Sequence, residues 1–287
     1  MKKFFFVMAC VIGLMTFASC DSDFMQDLLE QKPTIELVEA DGYIWHNIGV
    51  RLGTELDFQV KVAPNSGSMM ELTNVDFTVK DANGSVLYSE SGDIEDPTNE
   101  NIVEFSYEPT EASTYTCTFT VTDAAGKSKE VKTVVICSEP VANVNGIYNG
   151  TLNMTGYVTT NEIAGYDVYD HEEVSVTDVP VTLTLGEIDE EGNILVGVEV
   201  EDTYVAIMGT MEESTVTING IYFFSAVNLF VRVNVEFNVN IVGVIDNGVM
   251  TLSGAAAGEG EAQVLTAKLE ATFEDGTVEG TLEEVVE

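Results

Sequence analysis

The chain has 287 residues, and its 49 Asp and Glu against 11 Lys and Arg give a formal net charge of −38. A field this negative repels nucleic acid and anionic membrane surfaces, so it excludes nucleic acid as a partner. Apolar residues still make up 45% of the chain, which is enough to bury a core, and the length is typical of two domains.

Residues 1–20 have the order of parts found in a bacterial export signal. Two lysines precede an apolar run from residue 4 to residue 17, and Ala18-Ser19 then lead into Cys20. The run is about 14 residues, fewer than the ~20 that cross a bilayer as a helix, so a cleaved signal is favoured over a retained anchor. We therefore predict a signal peptide over residues 1–19.

The small pair followed by Cys20 resembles the lipobox of bacterial lipoproteins, with Phe17 where Leu is usual. The resemblance implies lipidation at Cys20, a membrane partner through the lipid anchor, and a location at the cell outer membrane. Residues 20–32 are then an acidic tether. The acidic residues just behind Cys20 resemble the surface-export signal of bacteroidete-type lipoproteins, which implies surface exposure, and a solubilising linker is the equal alternative.

Residues 33–138 are predicted to form an N-terminal β-sandwich. Apolar residues alternate with polar ones over 56–62, 75–79 and 103–107, and these runs are separated by turn clusters rich in Asn, Asp, Gly and Ser. Regular short strands over ~100 residues are typical of a sandwich.

Two cysteines of this region, Cys117 and Cys137, lie on successive predicted strands joined by a turn over residues 123–129. That hairpin would bring them roughly opposite each other, and an oxidising compartment permits a disulfide between them. The alternative left open is that both are small buried residues that do not touch.

The stretch from Tyr115 to Lys127, followed by a Val-rich strand over 131–136, resembles the closing hairpin of PKD-like and other Ig-like extracellular domains. The Trp-Asp-Phe-Gly-Asp-Gly type motif of true PKD domains is absent, so the resemblance is to the wider Ig-like class. It implies a spacer or an adhesion module.

Residues 139–145 are predicted to be a hinge, and residues 146–287 a second antiparallel all-β domain. Apolar side chains occupy every odd position from Val227 to Ile241, which predicts one long half-buried strand with a bend or bulge. Asn247-Gly248 predicts a tight hairpin. Eight to ten strands in ~140 residues fit a closed barrel or a second sandwich.

The opening Gly-Ile-Tyr-Asn-Gly-Thr-Leu at residue 146, the Asn-Gly hairpin and the Gly-Thr-Val-Glu-Gly-Thr-Leu at residue 276 resemble the calycin-like barrels of bacteroidete-type lipoproteins. Calycins include the lipocalins, so the resemblance implies a barrel that holds a small apolar ligand. A barrel packed solid by its own side chains is the alternative.

Catalytic motifs are lacking in the sequence. The two histidines, His46 and His171, lie far apart, and neither is accompanied by a Ser or Cys nucleophile motif. Acidic clusters at 93–96, 167–173 and 187–193 lack the spacing of an EF-hand, so we predict no metal site. Because catalytic motifs are lacking, we also predict no cofactor and no enzyme activity. A hydrolase that uses paired carboxylates is a distant alternative.

The sequence thus predicts an all-β, non-enzymatic, lipid-anchored envelope protein with an N-terminal Ig-like β-sandwich and a C-terminal antiparallel calycin-like β-barrel. One hypothesis is that the barrel binds a small apolar molecule or a glycan. The other is an adhesion or structural surface protein with a packed barrel, whose loops meet protein partners at the cell surface. The ligand-binding residues are unknown at this level.

Overall fold

The computed structural model describes residues 32–286 except for 66, 68, 69, 164, 165, 168, 202, 229, 230, 265 and 266. The predicted signal peptide, Cys20 and the tether up to residue 31 lie outside the described residues. Within the described part every regular element is a β-strand. No helix in that part is long and apolar enough to cross a membrane.

The N-terminal half contains eight strands in two sheets. They are β1 (Thr34–Leu37), β2 (Ile48–Arg51), β3 (Leu56–Ala63), β4 (Leu72–Lys80), β5 (Val86–Gly92), β6 (Asn101–Tyr107), β7 (Ser113–Asp123) and β8 (Ser128–Ser138). One sheet has the antiparallel order β1-β3-β6, and the other has the order β2-β8-β7-β4-β5. Strand β2 runs parallel to β8, and the other pairs of the second sheet are antiparallel.

The two sheets bury their facing sides in one hydrophobic core. Strand β3 shows the cause, because its buried and half-buried residues alternate strictly along its length, as the period of a strand requires. Phe58, Phe77, Phe105 and Phe119 meet at the centre, and the rings of Phe77 and Phe119 stack with their centroids 4.7 Å apart. Aromatic burial of this kind is a large part of the stabilisation of the core.

Three hairpins turn through the same four-residue pattern, Asp-x-x-Gly, at 81–84, 123–126 and 189–192. In each, the Asp carboxylate accepts the N–H groups two and four residues further on, as Asp123 does from Ala125 and Lys127 at 2.9 Å. The glycines have φ between +76° and +84°, where a side chain would be strained. The turn chemistry therefore fixes these three registers.

The C-terminal half is a closed barrel of eight antiparallel strands with a small hairpin inserted after the first. They are β9 (Ile147–Thr160), β10 (Glu162–Ile163), β11 (Tyr166–Asp167), β12 (Glu172–Ile188), β13 (Asn193–Val200), β14 (Thr203–Glu212), β15 (Thr215–Asn228), β16 (Val231–Asp246), β17 (Val249–Val264) and β18 (Ala267–Glu284). Strands β12 to β18 follow in sequence order, and β9 closes the barrel between β18 and β12. The predicted all-β class and the antiparallel barrel are confirmed.

The single strand predicted from Val227 to Ile241 is wrong. The chain reverses between Asn228 and Val231, which are paired with each other, so that β15 and β16 lie side by side. In the sequence, the alternation of apolar residues continues from β15 into β16, so the hydrophobic pattern gives no sign that the chain reverses there. By contrast, Asn247-Gly248 forms the predicted hairpin between β16 and β17, with both residues at positive φ.

The pairing of β7 with β8 does not place the two cysteines of this hairpin opposite each other. Cys117 faces Thr133 and Cys137 faces Ser113, so the two residues are four positions out of register. Four residues of strand span about 13 Å, which is beyond the reach of a disulfide. Both thiols are free and buried, and the predicted disulfide is not formed.

Candidate ligand-binding cavity

The interior of the barrel holds a cavity of about 110 Å³. All eight barrel strands contribute to its wall, because each turns alternate residues inward. Fifteen of the sixteen lining residues are apolar, and the other is Glu201. The lining consists of Leu152, Met154, Val176, Val179, Val181, Leu183, Val198, Val200, Glu201, Val205, Ile207, Ile218, Val239, Ile241, Leu252 and Val278.

Two separate packed clusters flank the cavity and explain why it exists. The larger one includes Leu185 and Ile194, and the smaller one includes Phe273. Leu152 and Ile241 pack against both clusters, but they are only half-buried although they point inward. Their remaining exposed surface faces the cavity, so the middle of the barrel is less densely filled than its two packed clusters.

The one charged residue of the described lining, Glu201, belongs to the tight turn between β13 and β14. Val200 pairs with Thr203 across this turn, and Glu201 has a left-handed backbone with φ of +51°. Glu201 itself is exposed, whereas its neighbour Val200 is buried inside the barrel. This turn therefore sets a negative charge at the rim of an otherwise apolar cavity.

The N-terminal domain docks against β14, next to this rim. Arg51 of β2 forms an ion pair with Glu199, with an Nη2–Oε2 distance of 2.6 Å, and lies 4.5 Å from the ring centroid of Tyr204. The hydroxyl of Tyr204 accepts the N–H of Val141 at 2.8 Å and donates to the carbonyl of Glu139 at 3.3 Å. The predicted hinge is thereby bonded to the barrel wall at its first residue and at Val141.

Strand β2 also comes into direct backbone contact with the barrel. A Cβ atom built on Gly49 would overlap the carbonyl oxygen of Tyr204 and would lie 2.5 Å from Cγ1 of Val205. Only glycine allows the two strands to approach this closely. Val205 also lines the cavity, so a single side chain contacts both the domain junction and the cavity interior.

No catalytic constellation is formed by the two histidines. Nδ1 of His46 lies 2.7 Å from the carbonyl of Asn47, and its ring packs edge-on against Trp45. His171 stacks on Tyr157 in the other domain, with ring centroids 4.4 Å apart. Among the described residues, no three His, Cys, Asp or Glu side chains are grouped as metal ligands, and no buried side-chain polar atom lacks a hydrogen-bond partner.

Two of the acidic loops considered for calcium use their carboxylates locally. Asp96 accepts hydrogen bonds from Asn99 and Thr98, and these bonds lower the pKa of its carboxyl group below the usual value. Asp189 accepts from the side chain and then the backbone of Asn193, which lower its pKa in the same way. Both carboxylates serve as caps of their own loops.

Sequence reasoning did not identify the cavity-lining residues. They come from eight strands and share no local motif, and only the closed topology brings them together. Apolar residues alternate along strands such as β12 and β13, and this pattern predicts which side chains point into the barrel. It does not predict whether those side chains leave a cavity. Cys20 is the one predicted site residue that lies outside the described part.

No family model matches the chain, and no curated protein is significantly similar to it. Among solved structures it is similar to a protein of unknown function of the DUF3598 family from Nostoc punctiforme PCC 73102. The two are 11% identical, and the match covers 75% of this chain and 95% of that one with a TM-score of 0.24. A TM-score this low supports no conclusion about fold or function.

Proposed function

We propose that the protein is a non-enzymatic, lipid-anchored envelope protein whose C-terminal barrel binds a small apolar molecule. The observation that carries this proposal is the cavity, with fifteen apolar lining residues drawn from all eight strands. Ligand sites in proteins are mostly apolar with few polar groups, and this wall has that composition. An up-and-down closure of eight strands is also the architecture of lipocalins, which supports the calycin-like assignment.

The character of the wall favours an apolar ligand over a glycan. A sugar needs hydrogen-bond partners for its hydroxyls, and burying hydroxyls without them costs several kcal/mol. The described lining contains one residue with a polar side chain, the exposed Glu201, and otherwise the side chains of Val, Leu, Ile and Met. We therefore retain the apolar molecule and set the glycan aside for this cavity.

The size of the cavity favours a second candidate, a surface protein with a packed barrel. Sites for drug-sized ligands enclose roughly 300–1,000 Å³, and this cavity encloses about 110 Å³. On this alternative the void is a packing defect, and the external surfaces of the two domains meet protein partners. The two candidates predict opposite results in the titration described below.

An Ig-like identity of the N-terminal domain is supported by three features. Its two sheets share one core, and one of them ends in the parallel pair of β2 and β8. Tyr115 of β7 donates its hydroxyl to the carbonyl of Glu111 at 2.6 Å. A tyrosine at the start of a strand that bonds back to the preceding backbone, two residues before a cysteine, is the tyrosine corner of Ig-like domains. Such a domain would hold the barrel away from the membrane.

The anchor is tested separately from the barrel. Metabolic labelling with a radioactive or clickable fatty acid is expected to mark the full-length protein and to leave Cys20→Ser unmarked, because the thiol of Cys20 is the proposed acyl acceptor. Fractionation of the outer membrane supplies the location. Equal labelling of the two proteins would refute lipidation at Cys20.

The binding proposal is tested by titrating the chain from residue 21 onward with benzene and with 1-hexanol, followed by methyl resonances in NMR. Benzene fits engineered apolar cavities of ~150 Å³, so it tests whether this smaller void can expand, whereas the slender chain of 1-hexanol can enter it partway. Shifts are expected for cavity methyls such as those of Val198 and Ile207, with affinities in the millimolar range typical of ligands with so few atoms. Absence of saturable shifts would favour the packed barrel.

A filled cavity provides the matched control. Val198→Phe places a ring into the void and is expected to abolish binding, whereas Val244→Phe adds the same ring on the outside, where Val244 is 47% exposed. Circular dichroism of both variants checks that they fold. Binding that survives in Val198→Phe would locate the ligand elsewhere.

A further inference from the structure

Among the described residues that line the cavity, Glu201 is the one that carries a charge, and no described Lys or Arg forms an ion pair with it. Arg51 of the adjoining domain pairs with Glu199, two residues before Glu201. In the described part of the chain no ion pair involves Glu201. A molecule that enters the cavity past this turn therefore meets an uncompensated carboxylate.

The wider field of the barrel has the same sign. Residues 146–287 contain 26 Asp and Glu against two Lys and Arg, a net charge of −24. Rims lined by one sign of charge attract ions of the opposite sign and repel those of the same sign. The field therefore adds to the local effect of Glu201 and does not offset it.

The volume of the cavity leaves the polar end of a ligand close to this charge. A cavity of about 110 Å³ is smaller than the ~150 Å³ that accommodates the six carbons of benzene. By that ratio it holds about four carbons. A chain of six carbons with a polar head therefore fills the void and leaves its head at the rim.

We propose that the cavity selects apolar molecules whose polar end is neutral or cationic and rejects fatty carboxylates, with Glu201 as the residue that sets this preference. This inference rests on the proposed ligand-binding function of the same cavity. The ligand class is thus a short-chain or slender aliphatic amine or alcohol, or the corresponding end of a larger molecule, and not a free fatty acid.

The expected preference follows from Coulomb's law. A unit charge about 6 Å from a rim carboxylate in water changes the affinity by about threefold, and the field of the remaining acidic residues increases this. Hexylamine, which is protonated at neutral pH, should bind at least threefold more tightly than 1-hexanol at low salt. Hexanoate should bind at least threefold more weakly. A higher salt concentration screens the charges and should bring the affinities of hexylamine and hexanoate closer to that of 1-hexanol.

The experiment measures Kd for these three compounds, which share one chain and differ only in the charge of the head, by methyl NMR on the protein from residue 21 onward. Glu201→Gln is expected to bring both ratios closer to one while the affinity for 1-hexanol stays unchanged. Glu213→Gln is the matched control, since Glu213 lies in the equivalent turn between β14 and β15, at the opposite end, with φ of +54°. It removes the same unit of charge and is expected to leave the ratios unchanged.

The outcomes separate the inference from the function beneath it. Binding of 1-hexanol with equal affinity for hexanoate overturns the charge preference and leaves the apolar site intact. Equal responses of the Glu201→Gln and Glu213→Gln variants overturn the role of Glu201 and assign the preference to the overall field. Absence of binding by all three compounds overturns the proposed function as well.

Discussion

Gly49 offers the sharpest test of how the two domains are joined. A methyl group at this position would overlap the carbonyl oxygen of Tyr204 and would lie 2.5 Å from Cγ1 of Val205. Carbon atoms in favourable contact lie about 3.5–4.0 Å apart, so Gly49→Ala must move β2 away from β14 by about 1 Å. Because the obstacle includes backbone, rotation of a side chain cannot relieve it.

The expected cost of Gly49→Ala is about 2–3 kcal/mol. Overpacking at a close contact costs about 1–3 kcal/mol. Displacement of β2 also weakens the stacking of Arg51 over Tyr204, worth about 0.5–1 kcal/mol at an exposed site. The ion pair with Glu199 adds little, because its two side chains are 48% and 44% exposed.

The assay is urea unfolding followed by tryptophan fluorescence, since Trp45 is the single tryptophan and packs against the core of the N-terminal domain. Gly67→Ala is the control, because the nearest atom to its new methyl would be a side-chain oxygen, Oδ1 of Asn65, at 3.3 Å, and not backbone. We expect the control to change the unfolding free energy by less than about 0.5 kcal/mol. A loss in Gly49→Ala no larger than in the control would refute the docked arrangement.

Further predictions concern the turns and the thiols. Asp123→Ala should destabilise the protein by about 1–2 kcal/mol in urea unfolding, since two N–H groups lose their acceptor, and Asp123→Asn should restore part of it. A thiol reagent should find no reactive group at Cys117 or Cys137 in the folded chain from residue 21 and two after unfolding; a complete lack of reactive groups in the unfolded, unreduced chain would contradict the free thiols. Burial raises the pKa of the Cys117 thiol from 9.0 to about 12, so its contribution to stability is present below pH 9 and is lost as the pH rises from 9 through 12. Between pH 9 and pH 12, Cys117→Ala should lose less unfolding free energy than the parent protein. Equal losses in the two proteins would contradict the raised pKa of Cys117.

Short-range patterns predicted the parts of the fold that local chemistry controls. Alternation over residues 56–62 identified β3, and Asn247-Gly248 identified the hairpin between β16 and β17, because turn and strand preferences act over a few residues. The reversal between Asn228 and Val231 was not predicted, because the sequence there has no turn signal and the apolar alternation continues through it. Strong pairing along the flanking strands determines the turn there.

Long-range register was not available from the sequence. The supposed disulfide failed because the Asp123 turn fixes the pairing of β7 with β8 and leaves Cys117 opposite Thr133. The cavity could not be predicted for a related reason, because residues such as Met154 and Val239 line the same cavity only when the barrel closes. Closure depends on pairing between the first and last strands of the domain, which no local pattern encodes.

The closure of the barrel also brings the two ends of its chain together. The last strand, β18, pairs with the first strand, β9, and the N–H of Val285 donates to the carbonyl of Ile147 at 2.8 Å. A circular permutant that joins residue 286 to residue 146 through a short linker and opens at Asn247-Gly248 would therefore retain every strand pairing of the barrel. In such a molecule the N-terminal domain would be attached at the hairpin between β16 and β17 and not at residue 146. The cavity could then be studied in a barrel that lacks the contact between β2 and β14.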